Sequence, residues 1–334
     1  MKTFPVIDES DPNTMKFEIA DISVSVRSET PTVLTILSDF VKPFLVREPA
    51  SRPSVNITIN IGDSLPGKRE FTTAFTLESW TDDGLEVWSA DHNWIIYEPG
   101  ISYFIKDEAG IRGIITTKTL QSPAYIAHRT FWFLLTKVLW EHSVYIIHAA
   151  LVEKNGSRFL ISGKSGSGKS TVALALGLTG YTVYADDACF FWQPEREVHF
   201  IPFARDIFIY PETVKLFPPQ WQDLLTPASY DEDKNKMKIC LPDQQKIDKP
   251  LLRPEFCLFP EITGRGEHQL KVLPKKDAVP RLLHQSMLFG HRVILSRQFY
   301  IITAMVQKMK FFHLSVGQHP ILLHEILAGI DHES

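Results

Sequence analysis

The feature that most constrains this chain is a glycine-rich stretch at residues 163–171. It reads Gly163, Lys164, Ser165, Gly166, Ser167, Gly168, Lys169, Ser170 and Thr171, and it fills every required position of the phosphate-binding pattern G-x-x-x-x-G-K-[ST]. The apolar residues 158–162 before it predict a buried strand. Residues 172–178 after it are good helix formers, and Gly180 marks where a helix would end. The stretch therefore lies between a strand and a helix, which is the context that phosphate binding requires.

The composition of this loop has a physical reason. Phosphates need several main-chain N–H groups to converge on them, and glycines leave room for that approach and permit positive φ. The start of the following helix favours negative charge. Lys169 offers a mobile positive charge for the β and γ phosphates, and the Ser170 hydroxyl is a ligand for Mg²⁺. We therefore expect ATP and Mg²⁺ to bind here.

Two adjacent carboxylates, Asp186 and Asp187, follow the predicted strand at residues 181–185. Beside a magnesium nucleotide, one carboxylate can hold the metal while the other accepts a proton from an attacking hydroxyl. The sequence does not decide which aspartate has which part. The alternative is a solvated turn before the predicted strand at residues 189–192.

A histidine, His148, lies in the apolar run at residues 144–152, which we interpret as one core strand. Asn155 and Gly156 predict a tight hairpin turn from this strand into the one that enters the glycine-rich loop. The hairpin would place His148 in a sheet that adjoins the phosphate site. The alternative is a histidine whose hydrogen bonds are satisfied within the core.

Length and composition narrow the class of protein. The chain has 334 residues, so we expect two units, and 44% of its residues are hydrophobic, which is ample for burial. The net charge of -4 and the lack of a long basic run argue against nucleic acid as a partner. Its three cysteines form no C-x-x-C pair, which favours a reduced, cytoplasmic protein without a disulfide framework or a zinc site.

No membrane attachment is expected from the pattern of charges. Residues 1–12 already carry four charged side chains, so we expect no signal peptide. The most membrane-like window, residues 124–140, is interrupted by Arg129 and Lys137 and is too short to span a bilayer. We interpret it as a buried or docking helix.

The domain organisation follows from the spacing of apolar residues. Residues 1–121 predict a β-rich region that forms an antiparallel sheet and carries one helix at residues 31–45, with one of its strands at residues 71–77. A connecting helix is predicted at residues 122–142, because Ser122 is a helix cap and Pro123 fits the first helical position. Residues 143–330 then form the domain that contains the phosphate site. Its later strands are predicted at residues 256–259, 269–273 and 311–316, and a final helix at residues 320–327.

The ordered set of His148, the loop at 163–170 and the pair Asp186 and Asp187 resembles the catalytic domain of the HPr kinase/phosphorylase family. The resemblance covers residues 144–202. It implies an α/β (α+β) fold with a P-loop-containing mixed-sheet kinase core related to phosphoenolpyruvate carboxykinase. In this chain the β-rich N-terminal region, which does not resemble that of HPr kinases themselves, precedes this core. The resemblance implies that Lys169 binds phosphates, that Ser170 and one aspartate, such as Asp186, hold Mg²⁺, that the other is the general base, and that His148 lies near the transferring phosphoryl group.

Two departures from that family leave the position of a further cation open. Thr171 stands where HPr kinases have glutamate, and their downstream Glu-Ile-Arg-Gly stretch is missing. A cation is needed to offset the charge of the transferred phosphoryl group. Arg205 is the nearest catalytic candidate, and Lys236 or Arg253 could take its place, although each is individually more typical of a surface residue.

The layout is most similar to HPr-kinase-like proteins of peptide-modification gene clusters, which include the kinases of the C-terminal serine of lasso peptide precursors. That resemblance implies a serine of a peptide or protein as the phosphoryl acceptor. Two alternatives remain: a kinase of small-molecule hydroxyl groups, and a nucleotide-binding regulatory module without transfer chemistry. Self-association into a homo-oligomer is also left open.

Overall fold

The computed structural model describes residues 7–8, 11–46, 55–203, 207–222, 229–231, 235–239, 252–286 and 292–330. The chain divides into two compact units. The first comprises Met1–Ser143 with Phe289–Leu295, and the second comprises Val144–Leu288 with Ser296–Ser334. Arg205, which the sequence proposes as a catalytic cation, lies outside the described residues.

The first unit contains a nine-stranded sheet. Its strands are β1 (Ile7–Asp8), β2 (Asp11–Ile19), β3 (Ile22–Arg27), β4 (Val55–Gly62), β5 (Thr76–Trp80), β6 (Glu86–Ala90), β7 (Asn93–Glu98), β8 (Ser102–Asp107) and β9 (Gly110–Thr116). Their order in the sheet is β1-β2-β3-β4-β9-β8-β7-β6-β5.

The prediction of a purely antiparallel sheet in this half is wrong, because β4 pairs in parallel with both β3 and β9. The reason is the helix α1 (Pro31–Phe40), which lies between β3 and β4 in the chain. Parallel neighbours need a long crossover connection, and a helix supplies one. The strands from β5 to β9 are joined by short turns, and these do pair antiparallel, as predicted.

The predicted strand at residues 71–77 is also wrong, since β5 begins at Thr76. Phe71 follows a short 3-10 helix at Lys68–Glu70 instead. Its ring is 4% exposed and packs edge-on against Trp88 and Tyr97. The apolar side chain of Phe71 is thus explained by its burial among other aromatic rings from a turn, and it does not indicate a strand.

Within the range predicted as a connecting helix, residues 122–142, residues 123–141 are helical and form three segments, and they belong to the first unit. The segments are α2 (Pro123–Tyr125), a π-helical segment (Ile126–Phe131) and α3 (Trp132–Glu141). Phe131 packs edge-on against Phe17 of β2 and Phe40 of α1, so the helix is buried in the core of the first unit. No helix in the described ranges is long and apolar enough to cross a membrane.

The second unit contains three sheets. Its strands are β10 (Tyr145–Ile147), β11 (Ala149–Lys154), β12 (Ser157–Ser162), β13 (Thr182–Ala185), β14 (Ala188–Trp192), β15 (His199–Phe203), β16 (Ile207–Ile209), β17 (Ser229–Asp231), β18 (Lys236–Ile239), β19 (Phe256–Ile262), β20 (Gln269–Val272) and β21 (Lys310–Val316). The sheets have the orders β13-β11-β12-β19-β21-β20, β10-β14-β15 and β16-β18-β17. The helices are α4 (Lys169–Leu178), α5 (Pro211–Val214), α6 (Pro219–Gln222), α7 (Lys275–Gln285), α8 (Arg292–Lys308, whose first residues belong to the first unit) and α9 (Leu323–Ala328, after a 3-10 turn at Pro320–Leu322).

Three parallel neighbours, β12, β19 and β21, form the middle of the six-stranded sheet. Because they are parallel, their carboxyl ends meet at one edge. Helix α4 buries an apolar side, including Val172, Leu174 and Leu176, in a core shared with Phe159 and Leu258 of the sheet. The mixed α/β architecture predicted from the sequence is present, and the β11–β12 hairpin turns at Asn155 and Gly156, with φ of 53° and 90°, as expected.

The predicted single strand at residues 144–152 is wrong, because it breaks at His148. β10 pairs with β14 in a three-stranded sheet, whereas β11 pairs with β12 and β13 in the six-stranded one. The His148 N–H donates to the Gln285 carbonyl oxygen, 2.8 Å away, instead of joining either sheet. Asp186 and Asp187 separate β13 from β14 in the same way. The chain thus crosses between the same two sheets twice, and the crossings are neighbours.

Candidate active site

The glycine-rich loop follows the carboxyl end of β12 and leads into α4. Gly166 and Gly168 have φ of +77° and +103°, a region that residues with a side chain rarely adopt. A Cβ atom on Gly168 would also lie 2.5 Å from the side chain of Ile262. Lys164 and Ser165 are exposed at the tip, whereas Thr171 is buried. The loop is therefore shaped by its glycines and packed against the end of β19.

Lys169 is the first residue of α4, and its side chain folds over the loop. The ammonium Nζ donates to the carbonyl oxygens of Gly163 at 2.7 Å and Lys164 at 3.2 Å. The residue is 5% exposed, and burial lowers the pKa of the ammonium, while the nearby charges of Asp187 and Asp186 oppose that shift. A buried cation of this kind favours an anionic partner.

Asp186 is 4% exposed at the end of β13. Burial raises the pKa of its carboxyl to about 7, and the charge of Asp187 acts in the same direction. The Ser170 hydroxyl and the Phe208 main-chain N–H donate to this carboxyl and oppose the shift. Within the described part of the chain, the buried Asp186 Oδ1 and Ser167 Oγ have no hydrogen-bond partner. The unsatisfied Asp186 Oδ1, together with the Ser170 hydroxyl that donates to the same carboxyl, offers oxygen ligands that fit a hard cation such as Mg²⁺.

Asp187 and His148 form a pair beside this buried group. The His148 Nε2 and Asp187 Oδ1 atoms are 3.1 Å apart. Both side chains are accessible, with exposed fractions of 44% and 53% respectively. The two aspartates therefore differ in environment: Asp186 faces the protein interior, and Asp187 can meet a molecule that arrives from solvent.

The small β16-β18-β17 sheet adds two groups to the site. Phe208 of β16 supplies the N–H that binds Asp186, and Lys236 begins β18. The charge of Lys236 acts on both Asp186 and Lys169, and its Nζ lies 4.9 Å from the centroid of the Tyr210 ring. Arg253, the other candidate cation from the sequence, forms an ion pair with Glu197. Among the described candidates, Lys236 is the one whose charge reaches the site. The Phe208 N–H leaves no signal in sequence, because it belongs to the main chain.

The structure thus brings together the loop at 163–171, with Lys169 and Ser170, and the side chains of Asp186, Asp187 and His148. Such a set can bind a polyphosphate through main-chain N–H groups, hold a divalent cation with oxygen atoms, and move a proton at an exposed carboxylate.

Replacing Asp186 by asparagine is expected to remove a pH dependence of stability. The native pKa of about 7 exceeds the unfolded value of 3.8, so the native state binds the extra proton between these values. The protonated Asp186 carboxyl therefore makes its whole contribution to native-state stability below about pH 4, and this contribution is lost as the pH rises through 7. Urea denaturation without metal should show no such loss for the variant. At pH 8 its free energy of unfolding should exceed that of the wild type by about a few kcal/mol. Equal pH profiles for the two proteins would contradict the burial of a proton-binding carboxyl.

Comparisons with known proteins identify no family for this chain. No protein-family model matches it, and no match to a curated protein was found. Among solved structures, the HPr(Ser) kinase/phosphatase from Coxiella burnetii matches 56% of this chain and 97% of its own chain, with 12% sequence identity and a TM-score of 0.29. A similarity at that TM-score carries no inference about activity.

Proposed function

We propose that this protein is an ATP- and Mg²⁺-dependent kinase that transfers the γ-phosphoryl group to a hydroxyl, that of a serine in a peptide or protein. The observation that carries the proposal is the placement of an accessible carboxylate, Asp187, beside a buried one, Asp186, whose carboxyl accepts a hydrogen bond from the Ser170 hydroxyl of the phosphate loop. A solvated turn after β13 would not bury one aspartate and bind it to that loop.

The triphosphate binds in the loop at 163–171, where main-chain N–H groups and the ammonium of Lys169 receive its negative charge. In this arrangement Lys169 exchanges its bonds to the Gly163 and Lys164 carbonyl oxygens for bonds to phosphate oxygens. Ser170 and Asp186 are the residues that hold Mg²⁺. The metal, when bound, neutralises charge on the β and γ phosphates.

Asp187 acts as the general base. As the acceptor oxygen forms its bond to the γ phosphorus, the bond between that phosphorus and the β–γ bridging oxygen breaks, and ADP leaves. The proton of the acceptor hydroxyl passes to the Asp187 carboxylate. His148, 3.1 Å away, orients that carboxylate by donating to it from Nε2. Lys236, whose charge already acts on Asp186 and Lys169, supplies positive charge to the site.

A serine in a peptide or protein as acceptor is supported by the exposure of the base. The Asp187 side chain is 53% exposed and that of His148 44%, so an acceptor can be part of a large molecule and still reach the carboxylate. The C-terminal serine of a lasso peptide precursor is a narrower version of the same acceptor, and it stays a hypothesis drawn from resemblance.

The test is transfer from ATP labelled at the γ position in the presence of Mg²⁺. Serine-containing peptides, the same peptides with alanine in place of serine, and free serine are offered to the intact chain. We expect label on the serine peptides alone. Label on free serine in preference to peptides would identify a small-molecule kinase. Tight ATP binding without transfer to any acceptor would favour a regulatory module and contradict the proposal.

A further inference from the structure

A cleft of about 540 Å³ opens in the second unit at the loops that follow β19 and β21. Its volume is that of a typical site for a small molecule. The side chains that line it include Glu267, His268, His319, Leu322, Glu325 and Ile326. The proposed phosphoryl transfer uses none of them.

The cleft lies at the same edge of the sheet as the phosphate loop. β12, β19 and β21 are parallel neighbours, so the segments after their carboxyl ends are neighbours too. In open α/β sheets, ligands bind outside the carboxyl ends of the strands. Ile262, at the end of β19, packs against Gly168 of the loop, and the cleft begins four residues later at Gly266. Helix α9, which supplies one wall, shares its core with α4, the helix that begins at Lys169.

The walls of the cleft are held in place by main-chain contacts. The Gly317 N–H donates to His268 Nδ1 at 3.0 Å, so Nε2 carries the proton and donates to the His319 carbonyl oxygen at 3.1 Å. The Gln318 N–H donates to the Gly266 carbonyl oxygen at 3.0 Å. His319 keeps a left-handed conformation, with φ of 59°, which is unfavourable for a residue with a side chain. Two loops are thus joined into one preformed cleft.

The charges that line the cleft determine which chemical groups it can bind. Among the described residues, its lining contains two carboxylates, Glu267 and Glu325, and no lysine or arginine. Such a surface repels phosphate and accepts hydrogen bonds from hydroxyl groups. Leu322, which is 42% exposed, and Ile326 add an apolar surface on which a flat ring can pack. A neutral group with hydroxyls and an aromatic ring fits these walls, and an anion does not.

We infer that this cleft binds the base and ribose of the nucleotide whose phosphates lie in the loop at 163–171. The inference rests on the proposed function. The base packs on Leu322 and Ile326, and the ribose hydroxyls donate to the carboxylates of Glu267 and Glu325. The acidic lining directs the phosphates away from the cleft and toward Lys169.

The test compares ATP with inorganic tripolyphosphate, each titrated with Mg²⁺ into the intact chain by calorimetry. In the wild type, ATP should bind more tightly than tripolyphosphate. Leu322→Asp should weaken ATP binding by about tenfold, as expected for loss of an apolar contact, and leave tripolyphosphate binding unchanged. Val272→Asp is the matched control, because Val272 is 80% exposed on β20 outside the cleft lining, and it should change neither affinity. Glu325→Gln, which conserves volume, should weaken ATP binding a few-fold and spare tripolyphosphate.

Several results would overturn the inference while leaving the proposed function standing. The first such result is that Leu322→Asp and Glu325→Gln bind ATP with the affinity of the wild type. The second is that each variant loses affinity for ATP and for tripolyphosphate to the same extent. The wild type could bind tripolyphosphate as tightly as ATP, which would show that the nucleoside contributes nothing. Leu322→Asp could instead impair binding of a peptide acceptor alone. If the folded wild type binds neither ATP nor tripolyphosphate, the proposed function itself fails.

Discussion

Asp187→Asn should lower kcat for phosphoryl transfer by about 10²–10⁴-fold, the range that a positioned general base contributes. Asparagine keeps the size of the side chain and can still accept the hydrogen bond from His148 Nε2, but it cannot take the proton of the acceptor hydroxyl. Nucleotide affinity should change little, because Ser170 and Asp186 keep their contacts. The measurement is steady-state transfer from labelled ATP, together with calorimetric titration of ATP.

The matched control for this prediction is Glu255→Gln. Glu255 also pairs with a basic side chain, Arg158 Nη1 at 3.4 Å, but it precedes β19 and so lies at the sheet edge opposite the loop. Its substitution should leave kcat unchanged, since Glu255 lies at the amino-terminal end of β19, away from the phosphate loop and Asp187. Full activity in Asp187→Asn would show that another group accepts the proton. The double variant Asp186→Asn with Asp187→Asn would then decide whether the buried aspartate is that group.

Lys169→Ala should lower kcat/KM for ATP by about 10³-fold or more. Its ammonium is the buried cation of the loop, and loss of one charged donor to the transferring phosphates costs about 10²–10³ in kcat before any loss of affinity. The variant should fold, because removal of a buried charge relieves the unfavourable burial that lowers the pKa of this lysine. Thermal unfolding establishes folding, and transfer assays over a range of ATP concentrations separate KM from kcat.

Lys154→Ala is the corresponding control. The Lys154 Nζ also binds a main-chain carbonyl oxygen, that of Thr179 at 2.8 Å, at the far end of α4. Its loss should affect stability slightly and kinetics not at all. Equal kinetic losses in Lys154→Ala and Lys169→Ala would mean that both act through the packing of α4, and the role of Lys169 at the phosphates would be wrong.

The local parts of this fold can be predicted from sequence because their signals are local. The strand, glycine-rich loop and helix at residues 157–178 are adjacent in the chain, and the Asn155-Gly156 turn requires positive φ at two successive residues. These elements follow from residue types alone. The same holds for the position of Asp186 and Asp187 after a strand.

The order of the strands could not be predicted, because it depends on pairings between distant residues. Phe159 of β12 lies opposite Phe256 of β19, almost a hundred residues later. The break at His148 is hidden for a related reason: residues on both sides of it are buried, so the apolar run continues while the chain changes sheets. Because the sequence does not reveal that β12, β19 and β21 are parallel neighbours, it cannot show that the loops of the cleft lie beside the phosphate loop.

Helix α8 was not predicted either. Its surface carries Phe299 and Tyr300, which are 49% and 66% exposed, so apolar residues on more than one side obscure the helical spacing. The side chains of the candidate site come from short segments at the ends of strands, and for that reason they could be named from the sequence before the fold around them was known.

Calorimetric titration of ATP into the intact, folded chain, with and without Mg²⁺, tests directly whether residues 163–171 and Asp186 form a magnesium-nucleotide site. We expect one nucleotide to bind per chain, with an affinity that increases when Mg²⁺ is present, and we expect that increase to be lost in Asp186→Asn. Folded protein that binds no ATP, or ATP binding that changes neither with Mg²⁺ nor with Asp186→Asn, would contradict a magnesium-nucleotide site at these residues.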